Sequence, residues 1–172
     1  MVGLLGMLVG VPSETAGQEA AARSDLHFFV GRWSVEREYV STPHRPALFG
    51  YLTCQEALRG AYVHCRYELT NDETVIEEEV YFNFNSIYDR YEALWLSPTW
   101  PIKVIMGGSI QGSEFRALAE FPIEDGVVEY VRSQHRWAGD NAFEYDVAIR
   151  TSADPEGTGW RQHMVERATR IE

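Results

Sequence analysis

Ten strand-like segments follow one another between residues 32 and 170, separated only by short polar turns, and nothing after Val30 is long and helically periodic. The segments run over 32–41, 48–57, 61–70, 74–83, 90–97, 102–109, 114–121, 127–137, 142–151 and 160–170. Their joints carry turn formers, among them Arg59-Gly60, Asn71-Asp72, Gln111-Gly112 and Gly139-Asp140-Asn141. Strands of this length joined this tightly pair as antiparallel neighbours rather than as βαβ units. An open row of them would leave two exposed edges, and closure removes both. The expected fold is therefore all-β, an antiparallel up-and-down barrel of about ten strands, with room inside for side chains or one small ligand. Upstream, residues 24–30 read as a short helical turn, with Ser24 as N-cap and Phe28 and Phe29 toward an apolar surface. Such a turn would plug one end of the barrel.

The chain has 172 residues, 45% of them hydrophobic and 13% aromatic, which suits one domain with a sizeable core. The barrel domain is expected over 24–172, after a flexible segment 1–23. Within that segment, 2–11 is an apolar run of the length of a signal-peptide core, and 12–18 supplies small residues where cleavage would fall. No Lys or Arg precedes the run, and it is too short to span a bilayer as a helix. Export to the periplasm is favoured over a cytoplasmic location. The formal net charge of −11 argues against nucleic acid or anionic lipid as partners, since both require a basic face. A small-molecule ligand fits better, and a homodimer stays open.

Alternation sorts each strand's side chains onto two faces. In the first strand Trp33, Val35, Arg37 and Tyr39 share one. Between the second and third, a two-residue turn at Arg59-Gly60 sets Cys54 opposite Cys65, Leu52 opposite Tyr67 and Glu56 opposite Val63. The other face pairs Gln55 with His64, Thr53 with Arg66 and Tyr51 with Glu68, and is the wet one. In the fourth strand Glu78 shares its face with Ile76, Val80, Phe82 and Phe84, so its carboxylate points inward. Glu77 and Glu79 then point outward and read as a solvated edge.

Directly opposed cysteines lie close enough for a disulfide in a non-hydrogen-bonded pair, but the register alone does not fix the pair type. Cys54 and Cys65 are a bridge in an oxidising compartment and two small core residues otherwise. No Cys-x-x-Cys or paired-His spacing accompanies them, so no metal site is expected. No nucleophile elbow, phosphate-binding glycine loop or dinucleotide fingerprint occurs, and no cofactor is expected. Gly107-Gly108-Ser109 marks a bulge or close packing.

Four stretches carry a likeness to a known family: Leu26-His27-Phe28-Phe29-Val30-Gly31-Arg32-Trp33, the run from Cys54 to Arg66, Tyr88-Asp89-Arg90-Tyr91 with Trp95, and Trp160 leading to Arg167-Ala168-Thr169-Arg170. In that order they span the chain from Leu26 to Arg170, and the sequence resembles the bacterial DUF1579 family of calycin-like, more remotely lipocalin-like, barrels. The resemblance implies that Trp33 closes the barrel base beneath a basic residue of the last strand, Arg167 or Arg170. It also implies that the Trp33 face looks inward, which takes Arg37 and Tyr39 inside. Ser97-Pro98-Thr99-Trp100-Pro101 departs from the family's pattern and places two prolines and an indole at a barrel mouth. In the related nitrobindin-type barrels a C-terminal histidine holds haem iron; His163 has a comparable place, but its surroundings do not match, and an ordinary strand histidine is the reading adopted.

Arg37 and Glu78 are then the sharpest pair, because a charge in a barrel interior needs a partner or a ligand. They form an internal salt bridge, or they orient a ligand. In the binding reading, Trp33, Tyr39, Tyr67, Phe82 and Trp95 line a cavity for a small apolar or amphipathic molecule whose polar end meets Arg37 and Glu78. Replacing Arg37 by Met would abolish binding and leave the fold intact. The alternative is a cofactor-free isomerase, cyclase or hydratase with Glu78 as acid or base. A carboxylate raised by burial favours the enzyme, and one paired with Arg37 favours plain binding. A filled barrel without a cavity is the third possibility.

Overall fold

The structure, a computed structural model, describes residues 17, 21–22, 24–99, 103–123, 126–154 and 159–172. The apolar run at 2–11, with the expectation of export built on it, and Trp100-Pro101 lie outside the described residues. Ten strands occur among those described: β1 (Gly31–Tyr39), β2 (Leu48–Ala57), β3 (Tyr62–Thr70), β4 (Val75–Asn85), β5 (Arg90–Leu96), β6 (Val104–Gln111), β7 (Glu114–Pro122), β8 (Val128–Trp137), β9 (Ala142–Thr151) and β10 (Arg161–Arg170). Each pairs antiparallel with the next, and β1 also pairs with β10, which closes the barrel. Among the described residues no helix is long and apolar enough to cross a membrane.

Local chemistry explains the registers. Arg59 and Gly60 both take positive φ, 62° and 77°, as a tight hairpin turn demands, and the Ala61 N–H donates to the Leu58 carbonyl at 3.3 Å. That turn sets Cys54 opposite Cys65 and Leu52 opposite Tyr67. The alternation then buries Trp33, Val35, Arg37 and Tyr39 of β1 and exposes Thr53, Arg66 and Glu68 on the outside. Closure corrects the reading of Glu77 and Glu79 as an edge. Both lie on the outer wall of a paired strand, Glu77 beside Arg66 at 3.2 Å and Glu79 accepting from the Tyr81 hydroxyl at 3.0 Å.

Gly108 marks close packing and not a bulge, since the β6–β7 register runs unbroken past it and a Cβ there would fall on the Arg116 carbonyl. The irregularity lies in β10, between Gln162 and Met164. His163 is the extra residue. Beyond it Met164, Glu166 and Ala168 face the interior.

One end is plugged. Ala21, Ala22 and Ser24 through Leu26 are helical, and a 3-10 turn follows at His27–Phe29. Ser24 is itself helical and is therefore not the N-cap, whose backbone would be non-helical. Phe29 stacks on Phe82 at 4.6 Å, and its carbonyl accepts from the Trp33 indole at 2.9 Å. Arg170 covers Trp33 at 4.1 Å and donates to the carbonyls of Val30 and Phe28 at 2.6 and 2.7 Å. Arg167 does not share this role. It sits opposite Glu36 on the outer face and meets Glu38 at 3.1 Å.

Cys54 and Cys65 are bridged, with Cα atoms 4.0 Å apart, the spacing of a non-hydrogen-bonded pair. The bridge closes a short hairpin loop, so the double variant Cys54→Ala/Cys65→Ala is expected to lose about 2–3 kcal/mol of stability in urea unfolding. Two titratable thiols in denatured, unreduced protein from an oxidising compartment would contradict the bridge.

Candidate functional site

Depth divides the barrel interior into two halves. At the plugged end Phe29, Trp33, Phe82, Phe115, His135 and Phe143 are buried and pack ring against ring. Toward the opposite end a cavity of about 210 Å³ opens, lined by Arg37, Tyr39, Glu78, Trp95, Tyr145 and His163, with Arg45, Ser97, Thr99, Met106, Val131, Val147 and Met164 completing the wall. That volume is below the roughly 300–1,000 Å³ of pockets for drug-sized ligands.

Arg37 anchors the cavity floor. Its Nη1 donates to Glu78 Oε2 at 2.6 Å and its Nε to Glu166 Oε2 at 3.0 Å, while all three side chains are 5% exposed or less. The second oxygen of each carboxylate is also engaged. Glu166 Oε1 accepts from the Tyr67 hydroxyl at 3.0 Å, and Glu78 Oε1 from the Ser97 hydroxyl at 2.7 Å. One group is left over: Arg37 Nη2 is buried and has no partner.

The electrostatics follow from this geometry. Burial alone would lower Arg37, but Glu166 and Glu78 outweigh it and hold the guanidinium firmly charged. Burial pushes Glu166 up, against the pull of Arg37 and the Tyr67 hydrogen bond. The Tyr67 and Tyr145 phenols are raised by burial and then by Glu166, so both stay protonated. At the mouth, burial and then Arg45 lower His163, whose Nδ1 lies 2.7 Å from the Ser41 hydroxyl.

The structure brings together Arg37, Tyr39, Glu78 and Trp95 at the cavity. Tyr67 stands behind Arg37, its ring 4.8 Å from the guanidinium, and does not line the open space. Trp33 and Phe82 lie in the packed half. Alternation places a side chain inside the barrel but does not say at which depth, and Trp33 sits at the start of its strand beside the plug. The sequence reading missed Glu166 and Tyr145. Glu166 had a signal, since Met164, Glu166 and Ala168 recur at every second position, but its partner Arg37 lies across the seam of β1 and β10. Among the described residues no cluster of three or more His, Cys, Asp or Glu side chains is placed to hold a metal ion.

The arrangement offers hydrogen-bond donors to a ligand and an aromatic wall to its body. Both oxygens of Glu78 and both of Glu166 already have a partner.

Two solved structures share the architecture. Rv2717c from M. tuberculosis is 14% identical with a TM-score of 0.61, over 88% of this chain and 98% of that one. The S-type phycobiliprotein lyase CPES from Guillardia theta is 10% identical with a TM-score of 0.54, over 94% and 99%. At these identities the likeness establishes the barrel and says nothing of the chemistry inside it. No protein-family model matches the sequence, and no curated protein does.

Proposed function

We propose that this barrel, similar to the DUF1579 family in stretches between Leu26 and Arg170, binds a small amphipathic molecule in the cavity above Arg37. The observation that carries the reading is the unpartnered Arg37 Nη2 at an otherwise fully satisfied ionic floor. A buried donor left alone costs about 1–3 kcal/mol, and a ligand acceptor or a bound water recovers it. The apolar body would rest on Trp95, which stacks on Tyr145 at 5.6 Å, and on Met106.

The enzymatic alternative has less support. Glu78, the inward carboxylate that would act as acid or base, has both oxygens committed, to Arg37 and to Ser97. Glu166 is raised by burial but lies behind the cavity wall, out of a ligand's reach. The Cys54–Cys65 bridge supports an oxidising, exported setting for the protein.

Mass spectrometry of small molecules released from gently purified protein tests the reading. A compound near one equivalent is expected in the wild type and not in Val147→Trp, which fills the cavity. No retained compound, together with no binding from a fragment set, would leave the barrel a closed structural unit.

A further inference from the structure

We infer that the cavity is built for a small organic anion, a carboxylate carried on an apolar body about the size of one aromatic ring. The inference rests on the ligand-binding reading above and adds the sign of the ligand's charge. Three observations carry it. First, the acceptors at the floor are used up: each of the four oxygens of Glu78 and Glu166 already receives a hydrogen bond, from Arg37, Ser97 or Tyr67. A cationic ligand would find no carboxylate oxygen among them that lacks a partner. Second, Arg37 lines the cavity and keeps one buried nitrogen, Nη2, without an acceptor. Third, Arg45 at the mouth lies over the Tyr39 ring at 3.9 Å and is paired with no carboxylate among the described residues.

Among the described residues Glu78 is the one carboxylate in the cavity wall, and it is committed to Arg37 and Ser97. Burial and Arg45 both push His163 toward its neutral form, as expected where a cation goes uncompensated. The Ser97 hydroxyl is spent on Glu78 and takes the neighbouring Thr99 hydroxyl as its own donor, which leaves the guanidinium groups as the charged donors of this wall. The chain's overall charge of −11 does not oppose this. Salt screens exposed charges beyond a Debye length of about 8–10 Å; inside that radius Glu78 and Glu166 offset Arg37, and Arg45 is the cation without a carboxylate partner among the described residues. Size follows from the cavity, whose 210 Å³ admits a single ring or a short branched chain but no extended lipid.

Benzoate, benzamide and benzamidine share one shape and differ in charge, and titration of each by calorimetry or NMR tests the inference. Benzoate should bind most tightly and benzamidine least, by about tenfold or more, because like charges in a partly buried site repel. Added salt should weaken benzoate and leave benzamide unchanged. Arg45→Gln should weaken benzoate about fivefold without moving the melting temperature, and Arg45→Glu should erase the preference over benzamidine. Benzamidine binding as tightly as benzoate, or a benzoate affinity indifferent to Arg45→Glu, overturns the anion assignment and leaves the binding reading standing. Failure of all three probes to perturb Tyr39 or Trp95 removes both.

Discussion

Replacing Arg37 by Met is expected to cost the barrel about 3–5 kcal/mol, because it strands two buried carboxylates that share a single guanidinium. The expectation from sequence, that this variant loses only its ligand, considered Glu78 alone. With Glu166 on the other side of the same side chain, Arg37 is a structural keystone as well as a wall of the cavity. Two further measurements separate the ionic cause from a simple loss of volume. Arg37→Met should regain stability as pH falls and the abandoned carboxylates take up protons. The triple variant Arg37→Met/Glu78→Met/Glu166→Gln should recover most of the loss at neutral pH, since an uncharged core of similar volume is often as stable as a buried ion pair. Gln is chosen at Glu166 to keep an acceptor for the Tyr67 hydroxyl. Urea unfolding of the set decides the matter, and an Arg37→Met protein as stable as wild type would show that the triad carries no stability.

The second large effect lies in acid and belongs to His135. This imidazole stacks between Tyr145 at 4.1 Å and Phe115 at 5.7 Å, and burial lowers it from an ordinary 6.5 to about 3. Above pH 6.5 neither folded nor unfolded chain holds the proton, and His135 leaves stability untouched. Below that, the unfolded chain takes up a proton that the folded barrel refuses. Stability should fall by about 1.4 kcal/mol per pH unit, to a total of about 5 kcal/mol near pH 3. Glu166 acts in the opposite sense: raised in the fold, it favours the barrel below the ordinary carboxylate range and loses that advantage as pH rises. Comparing wild type with His135→Phe cancels the Glu166 contribution and isolates the histidine. His135→Phe keeps the ring stack, removes the unpartnered Nδ1, and should flatten the decline between pH 6.5 and 3. Parallel pH profiles for the two proteins would assign the acid sensitivity elsewhere.

These two residues also show where the sequence was legible and where it was not. The strands could be read because period-two alternation and turn chemistry are local. The Cys54–Cys65 register followed from one turn, and β2 and β9 begin and end where the pattern places them. Glu78 could be sent inward by the company it keeps on its own strand, and Arg37 by the family resemblance that turns the Trp33 face toward the axis. The third member of their cluster could not be found this way, since Arg37 and Glu166 are 129 residues apart and meet only because the barrel closes. A side chain's height along the barrel axis was hidden for a similar reason. Strand tilt and register around the whole circumference decide whether an inward residue, such as Phe82, joins the packed half or the open one.

The seam between β1 and β10 has a consequence for biogenesis. The opening strand leaves the ribosome long before its last neighbour has been translated, and until then its free edge is a template for pairing with other chains. Nascent protein must hold that edge in check through nearly the whole of its synthesis. A message cut short before Arg161 would yield two raw edges, at β1 and β9, and a product destined to aggregate.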